Sequence, residues 1–487
     1  MHHTSFFPAW QARLAPRRAR AAQTVAQIRA DTRCQLEAAL GQWLPADLFP
    51  QAPDHAHSRD RLYPRGRTVW CLLWQSLHPE ASGREVVRQL QALFGQAGGP
   101  RISEDDGAYG RAKQRLPLSP FPQALAAPAR AAARRAPRPT ALPGRPLQAV
   151  EGSTVTLAET PPNRQADPPL HGADGPSFPM LRLGVVFSMG RGAGALLAQG
   201  SYAGSELSLL GSRLSQLAAG DMLAGDRGFG CSPVLALRRH VAGVDFIGRT
   251  THPREGRRRH QRLGKNDWGV IWQKGRRPAP GRSLWQWAGL PTAMKLRVVK
   301  RRCDQKGLRV RHVTLVTPLL DPAAYPAAEL LQAYRRRGRL ELCLDDLKTT
   351  LKLERLRGQS PAMVQKELSA RLIAHNLIRG VMAQAAAAHQ VALDRIRFKG
   401  SVDALRHFAL AMAGAGSQKK RRALWAEVRR TLAADLVPER PGRREPRAVK
   451  RKQNKYPRLN AARDEFRDPP KRNVRQNNAR LRRLGLM

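Results

Sequence analysis

Acidic residues are scarce in this sequence: 37 Asp and Glu stand against 85 Lys and Arg in 487 residues, leaving a net charge of +48. A field of that sign gathers polyanions at the surface and disfavours cationic partners. Nucleic acid is the natural counterpart. Cysteine is also sparse, with five residues at positions 34, 71, 231, 303 and 343. They are odd in number and form no Cys-x-x-Cys pair, which argues against a disulfide framework and against a zinc site, and places the chain in a reducing compartment. Long apolar runs are missing too. None approaches the roughly 18 residues that span a bilayer, so an anionic membrane surface competes for the charge only as a surface. The N-terminal stretch has no secretory apolar core, and a cytoplasmic, nucleoid-associated protein that does not enter the membrane is expected.

What is present is enough apolar sequence, 42% of the chain, to build several cores. The length suggests roughly three domains. Residues 1–145 read as a helical N-terminal DNA-binding region that includes TVWCLLWQSL (68–77) and GREVVRQLQALF (83–94), ending in an Ala/Arg/Pro-rich basic linker from Ala126 to Arg145. From 146 to 250 the texture turns to short strand-like runs, at LQAVEG, STVTLAE, RLGVVFSM, GALLAQGSY, DMLAG and VDFIGRT, with helices at 206–217 and 232–241 between them. Residues 251–310 are basic, contain tryptophan and have little helical periodicity, as in a mainly β insertion. The α/β texture resumes over 311–415, with a strand at RHVTLVTPLL, a long helix from Ala327 to Leu353 and another over 360–388, and a basic C-terminal tail is expected over 416–487. The fold class is therefore α/β: a mixed sheet with flanking helices, interrupted by the insertion and preceded by helices.

On a continuous helix from Ala327 to Leu353, Tyr334, Arg337, Glu341 and Lys348 fall within about a 60° arc, beside a leucine face formed by Leu340, Leu344, Leu347 and Leu351. That stripe presents one acid among three groups suited to phosphate, at the rim of a buried face. The same spacings also describe an ordinary salt-bridged helix. Two further acids stand at strand ends. Glu151 follows an apolar run and precedes Gly-Ser, and Asp226 follows Met222–Leu223–Ala224 and precedes Arg-Gly. Taken singly, each is equally a turn or cap residue. Brought together, three carboxylates hold two divalent cations for in-line phosphoryl transfer, one at the attacking oxygen and one at the leaving oxygen.

The segment Y334-RR-R337-GRL-E341-LCLDDL-K348 reproduces the Tyr-x2-Arg-x3-Glu-x6-Lys signature of the insertion-sequence-four family of bacterial DDE transposases, and the chain resembles that family. The likeness extends through VEGSTVTLAETPPNRQ (150–165), GSELSLLGSRLSQLAAGDMLAGDRGF (204–229), LVTPLLDPAAYPAAELLQAYRRR (315–337) and RPGRREPRAVKRKQNKYPRL (440–459). The resemblance implies a ribonuclease H-like catalytic core with Glu151, Asp226 and Glu341 as catalytic and metal-holding acids. It implies two Mg²⁺ ions, for which Mn²⁺ substitutes, and Tyr334, Arg337 and Lys348 on the DNA end. Its partners would be double-stranded DNA, as terminal inverted repeats and target, and a second subunit in a paired-end complex. The 115 residues separating Asp226 from Glu341 fit a family insertion at that point.

The expected activity is cut-and-paste transposition of the chain's own insertion sequence, by metal-dependent hydrolysis and strand transfer. Two positions depart from the family pattern: Glu151 stands where the family has Asp, and Gly338 where close relatives carry Trp. The first departure admits an alternative reading, a catalytically inactive, transposase-derived DNA-binding protein that regulates or inhibits active copies. Trp268, Trp272, Trp285 and Trp287 among the insertion's cations suit either base stacking or a small β core. His375 and His389 have no partners at ligand spacing and read as structural.

Overall fold

The computed structural model describes residues 34–50, 62–97, 101–135, 145–168, 178–190, 192–202, 219–226, 243–250, 259–274, 290–302 and 312–439, with isolated positions between them. Helices come first: α1 (Gln35–Leu40), α2 (Arg65–Leu77), α3 (Gly83–Ala97), α4 (Gly107–Arg115) and α5 (Phe121–Arg135). A capping box starts α3. The Ser82 amide donates to Glu85 Oε2 at 2.6 Å, and the Glu85 amide donates to Ser82 Oγ at 3.3 Å. The linker expected from Ala126 to Arg145 is helical as far as Arg135, because alanine and arginine are strong helix formers and Ala124 and Leu125 bury one side of α5.

The sheet follows, with β1 (Leu147–Thr156), β2 (Met180–Ser188), β3 (Gly194–Ser201), β4 (Met222–Gly225), β5 (Asp245–Thr250), β6 (Arg259–Gly264), β7 (Asp267–Gln273), β8 (Ala293–Arg302) and β9 (His312–Thr317). These nine strands form one mixed sheet in the order β3-β2-β1-β4-β5-β9-β8-β7-β6. The pairs β1–β2 and β2–β3 are antiparallel, and β1–β4 and β4–β5 are parallel. The strands of the 251–310 segment do not leave the sheet. They continue it through β9 as an antiparallel meander.

Beyond the sheet lie α7 (Ala327–Arg335), α8 (Gly338–Asp345), a π-helical turn (Asp346–Thr350), α9 (Pro361–His389), α10 (Phe398–Ala413) and α11 (Gln418–Ala434), with the short α6 (Pro161–Ala166) after β1. Buried residues run all along α9, as a helix enclosed by others requires. It packs on α2, α5 and α11, and it starts at Ser360, whose side chain accepts the Met363 amide, with Pro361 in the first turn. The tail expected from 416 is ordered at its start. Ser417 caps α11, and Val428 and Leu432 give it a buried stripe. The 440–459 motif and the helices expected at 206–217 and 232–241 lie wholly or largely outside the described residues.

One buried cluster joins both halves of the chain, with Trp43, Leu73 and Phe121 sharing it with Leu183, Phe187, Leu347 and Ile373. On another part of the sheet, Phe246, Val270, Trp272, Leu296, Val298 and Val316 form a second core. Trp272 is thus a core residue, Trp268 is half-buried, and Trp285 and Trp287 fall outside the described residues. His375 is fully buried between Phe187 and Phe398, and burial holds its imidazole neutral, with its pKa lowered to about 3. No described helix is long and apolar enough to cross a membrane.

A buried ion pair fastens the meander to the helices that follow. Arg297 on β8 is 1% exposed, and its Nε and Nη2 donate to Asp267 Oδ1 and Oδ2 on β7 at 2.8 and 2.5 Å. Its Nη1 donates to the carbonyls of Tyr325 and Asp321, just ahead of α7, at 2.7 and 3.3 Å. Removing one partner strands a charge in the interior. Arg297→Met should therefore cost about 3–5 kcal/mol in urea unfolding, and adding Asp267→Leu should recover much of it. A loss under about 1 kcal/mol in the single variant would show that water reaches the pair.

Candidate active site

The neighbours of β1 change along its length. The strand pairs with β2 over its whole length, from Gln148 to Thr156, but with β4 only from Leu147 to Ala149. Glu151 comes two residues after the β1–β4 ladder ends, and Asp226 follows directly on Gly225, the last residue of β4. The chain winds one way through β2 and β3 and returns on the other side of β1 as β4 and β5, so the sheet order reverses between β1 and β4. Crevices at the carboxyl ends of strands at such reversals are where open α/β sheets bind ligands.

The third acid arrives on α8, which packs on β1. The long helix expected from Ala327 to Leu353 is not continuous. It turns at Arg336–Arg337, where the Arg337 amide bonds to the Tyr334 carbonyl at 3.0 Å, and it widens into the π turn at 346–350. Gly338, a poor helix former, lies at this break. Below the π turn the chain returns to β1. The Thr156 amide donates to the Glu354 carbonyl, and the Leu356 amide to the Thr156 carbonyl. The signature segment is thus held against β1 at two places.

The arrangement gathers five of the six expected residues into one electrostatic neighbourhood. Arg337 donates through Nη1 to Glu151 Oε1 and through Nη2 to Glu341 Oε1, the latter at 2.7 Å, and its charge acts on the Tyr334 hydroxyl. Asp226 lies close enough to act on Glu151, Tyr334 and Arg337. Lys348 is the sixth. It lies on the π turn, where the 100° spacing of an α-helix no longer holds, and it makes no hydrogen bond or ion pair among the described residues.

Burial differs within the group: the side chains of Arg337 and Glu151 are each 14% exposed, and that of Glu341 is 60% exposed. Burial pushes the Glu151 carboxyl up to about 7, with Glu341, Asp226 and Glu206 adding to the rise and Arg337 opposing it. Glu206 carried no signal in the sequence. Its carboxylate lies over Gly152, where a Cβ would come within 2.3 Å of it, and it faces Arg182 at 3.6 Å. Asp346, the first residue of the π turn, is also pushed up to about 7, chiefly by burial. Among the described residues no group of three His, Cys, Asp or Glu side chains is gathered closely enough to enclose a metal ion. The oxygens of Glu151 and Glu341 instead share one guanidinium.

Residues 201–377 match the family model described as transposase DDE domain. That span contains Asp226, Tyr334, Arg337, Glu341 and Lys348 and begins after Glu151. Over 436 residues, 86% of this chain and 93% of the relative, the sequence is 25% identical to the transposase InsG for insertion sequence element IS4 of Escherichia coli (strain K12). The cryo-EM structure of a piggyBac transposase synaptic complex with hairpin DNA aligns over 86% of each chain, with a TM-score of 0.39 and 11% identity. The sequence matches support the transposase family, whose DDE members are metal-dependent DNA-cleaving enzymes.

Two measurements probe this site. A Cβ at Gly338 would meet nothing within 4 Å, and its backbone is not in the left-handed region, so Gly338→Ala should stabilise the chain by about 0.5–1 kcal/mol in urea unfolding. A destabilised variant would mean that this turn needs glycine. Glu151 keeps its proton in the folded chain up to about pH 7, whereas unfolded it loses it near 4.5. Between those values the folded state binds more protons, so stability falls as pH rises. Thermal unfolding without divalent metal should show wild type losing ground to Glu151→Gln between pH 4.5 and 7, with the gap constant above. A gap that does not change with pH would mean that Glu151 titrates as an ordinary exposed carboxyl.

Proposed function

We propose that this chain is a DDE transposase that cuts and rejoins the ends of its own insertion sequence. The observation that carries the reading is the meeting of Glu151, Arg337 and Glu341, from β1, the turn before α8, and α8 itself, beside Asp226 at the end of β4. On this reading strands β1 to β5 are the ribonuclease H-like core, and Glu151, Asp226 and Glu341 hold two Mg²⁺ ions. The donor set fits: three carboxylates are hard oxygen ligands of the kind Mg²⁺ takes, and their mutual repulsion already calls for a cation. Bound there, the ions supply activation of the attacking oxygen and stabilisation of the leaving oxygen.

The chain's own residues have the remaining work. Arg337 offers a planar fork to two phosphate oxygens, Lys348 a point charge to another, and Tyr334 a hydroxyl beside them. The nucleophile is water in the first step and the freed 3′-hydroxyl in strand transfer. The surplus of basic residues draws in both the terminal inverted repeats and the target duplex. Two subunits hold two paired ends.

The test is cleavage of a labelled terminal repeat, its sequence taken from the DNA flanking the gene, with Mg²⁺ and purified protein. Wild type should cut and Glu341→Ala should lose at least about 10³-fold in rate, as expected when a group essential to metal-assisted transfer is removed. Cutting only by Glu151→Asp would place the defect in the extra methylene at position 151. Specific binding with no cleavage by either form would replace the catalytic reading with that of a DNA-binding regulator of active copies.

A further inference from the structure

We infer that Arg337 gates the acidic site: in the DNA-free chain its guanidinium holds the carboxylate oxygens that divalent cations need, and a DNA phosphate draws it away. This rests on the reading of the site as a DDE centre, and it adds that cation binding and DNA-end binding are coupled through one side chain.

The case begins with a conflict of roles. A phosphate-binding arginine must present its fork to the ligand, yet both terminal nitrogens of Arg337 are engaged by carboxylates. A guanidinium has five donors in one plane and pairs with two phosphate oxygens through the same edges that now face Glu151 and Glu341. It serves one partner set or the other.

The acids also favour a positive charge among them whenever Glu151 is ionised. Glu151, Asp226 and Glu341 lie within each other's field, and Glu151 is 14% exposed, so water screens it poorly. With neither metal nor arginine the cluster repels itself; with both, two cations compete for the same oxygens. Displacement of one by the other satisfies both limits.

The surroundings permit the exchange. The arm to Glu341 ends on a carboxylate that is 60% exposed, so breaking it costs little. Arg337 sits in the turn between α7 and α8 rather than inside either helix, and its neighbour Gly338 has open space where a side chain would be. Arg336 and Arg337 keep right-handed helical backbone angles, so it is the rotatable bonds of the Arg337 side chain that re-aim the guanidinium from the crevice towards a phosphate.

If one group mediates both events, the effect of DNA on cation affinity equals the effect of cation on DNA affinity. The experiment measures Mn²⁺ binding to the full-length protein by the loss of the free-ion EPR signal, with and without a terminal-repeat duplex. A Glu151→Gln/Glu341→Gln double variant with the same duplex supplies the background. Wild type should bind Mn²⁺ on the order of tenfold more tightly once DNA is present, and should bind the duplex more tightly by the same factor when Mn²⁺ is added. Arg337→Gln should bind Mn²⁺ without DNA about as tightly as wild type does with it, and DNA should change that little. Arg337→Lys, which keeps the charge but not the fork, should fall between. Equal Mn²⁺ affinity of wild type with and without DNA overturns the gate without the need for any variant to fold. So does an Arg337→Gln variant, folded by circular dichroism, that binds Mn²⁺ no better than wild type in the absence of DNA. Mn²⁺ binding that survives in the double variant is a different failure: the ion then sits elsewhere, and the assignment of the acids is what falls.

Discussion

The parting of β1 from β4 is the constraint on which the site depends. Three residues of parallel pairing hold the strands together from Leu147 to Ala149, and beyond them, among the described residues, β1 keeps β2 alone as a sheet neighbour until it meets the 354–356 segment. The gap is opened by the backbone rather than by side chains. It places Glu151 on a strand that is fixed on one side and open on the other, and it leaves Asp226 at the neighbouring strand end. Helix α8 then closes over the gap, and what it brings there is a cation and an acid together.

Electrostatics make this arrangement unusual within such a basic chain. In the chain as a whole 85 basic residues outnumber 37 acids, yet in this crevice burial raises Glu151 and the neighbouring carboxylates add to the rise. Each would be cheaper to keep in water. Their collection at a sheet reversal, with Glu151 largely buried, suits a place where positive charge is to be concentrated. Arg297 and Asp267 show the contrasting case. Theirs is a closed pair with bidentate geometry and two further carbonyl partners, which answers its own charges and has no capacity left for a ligand.

Much of the sheet was legible in the sequence because its strands are short apolar runs bounded by turns. β2, β3, β5 and β9 all fall where such runs stand, and LQAVEG and STVTLAE merge into the single strand β1, with Glu151 inside it rather than at its end, because Gly152 and Ser153 pair with Gly184 and Leu183 of β2 instead of turning. The site was legible by type more than by geometry. Periodicity placed Tyr334, Arg337 and Glu341 on one side of a helix, and they do meet, but no residue pattern announced that the hydrogen bonding switches to a π turn before Lys348. Two misreadings share a cause. The Ala/Arg-rich stretch through Arg135 and the basic segment after Ser417 looked like linker and tail because charge dominates both, and each helix only acquires a partner once α9 is in place. Glu206 was invisible for a simpler reason: what brings it to β1 is the absence of a side chain at Gly152.

The ion pair between Arg337 and Glu151 joins positions 186 residues apart, and most of the sheet is strung between them. Contacts of that separation close late in folding, after the loops they span have been ordered. During synthesis the strand with the first acid emerges long before the helix with the last, so no chain that stops short of Glu341 carries an assembled acidic crevice. A nascent or truncated copy still has its excess of basic residues and is drawn to DNA as any polycation is, but it reaches the polymer with its cutting centre unformed. Competence to bind thus precedes competence to cut in the life of each molecule, and the interval is set by the topology of the sheet.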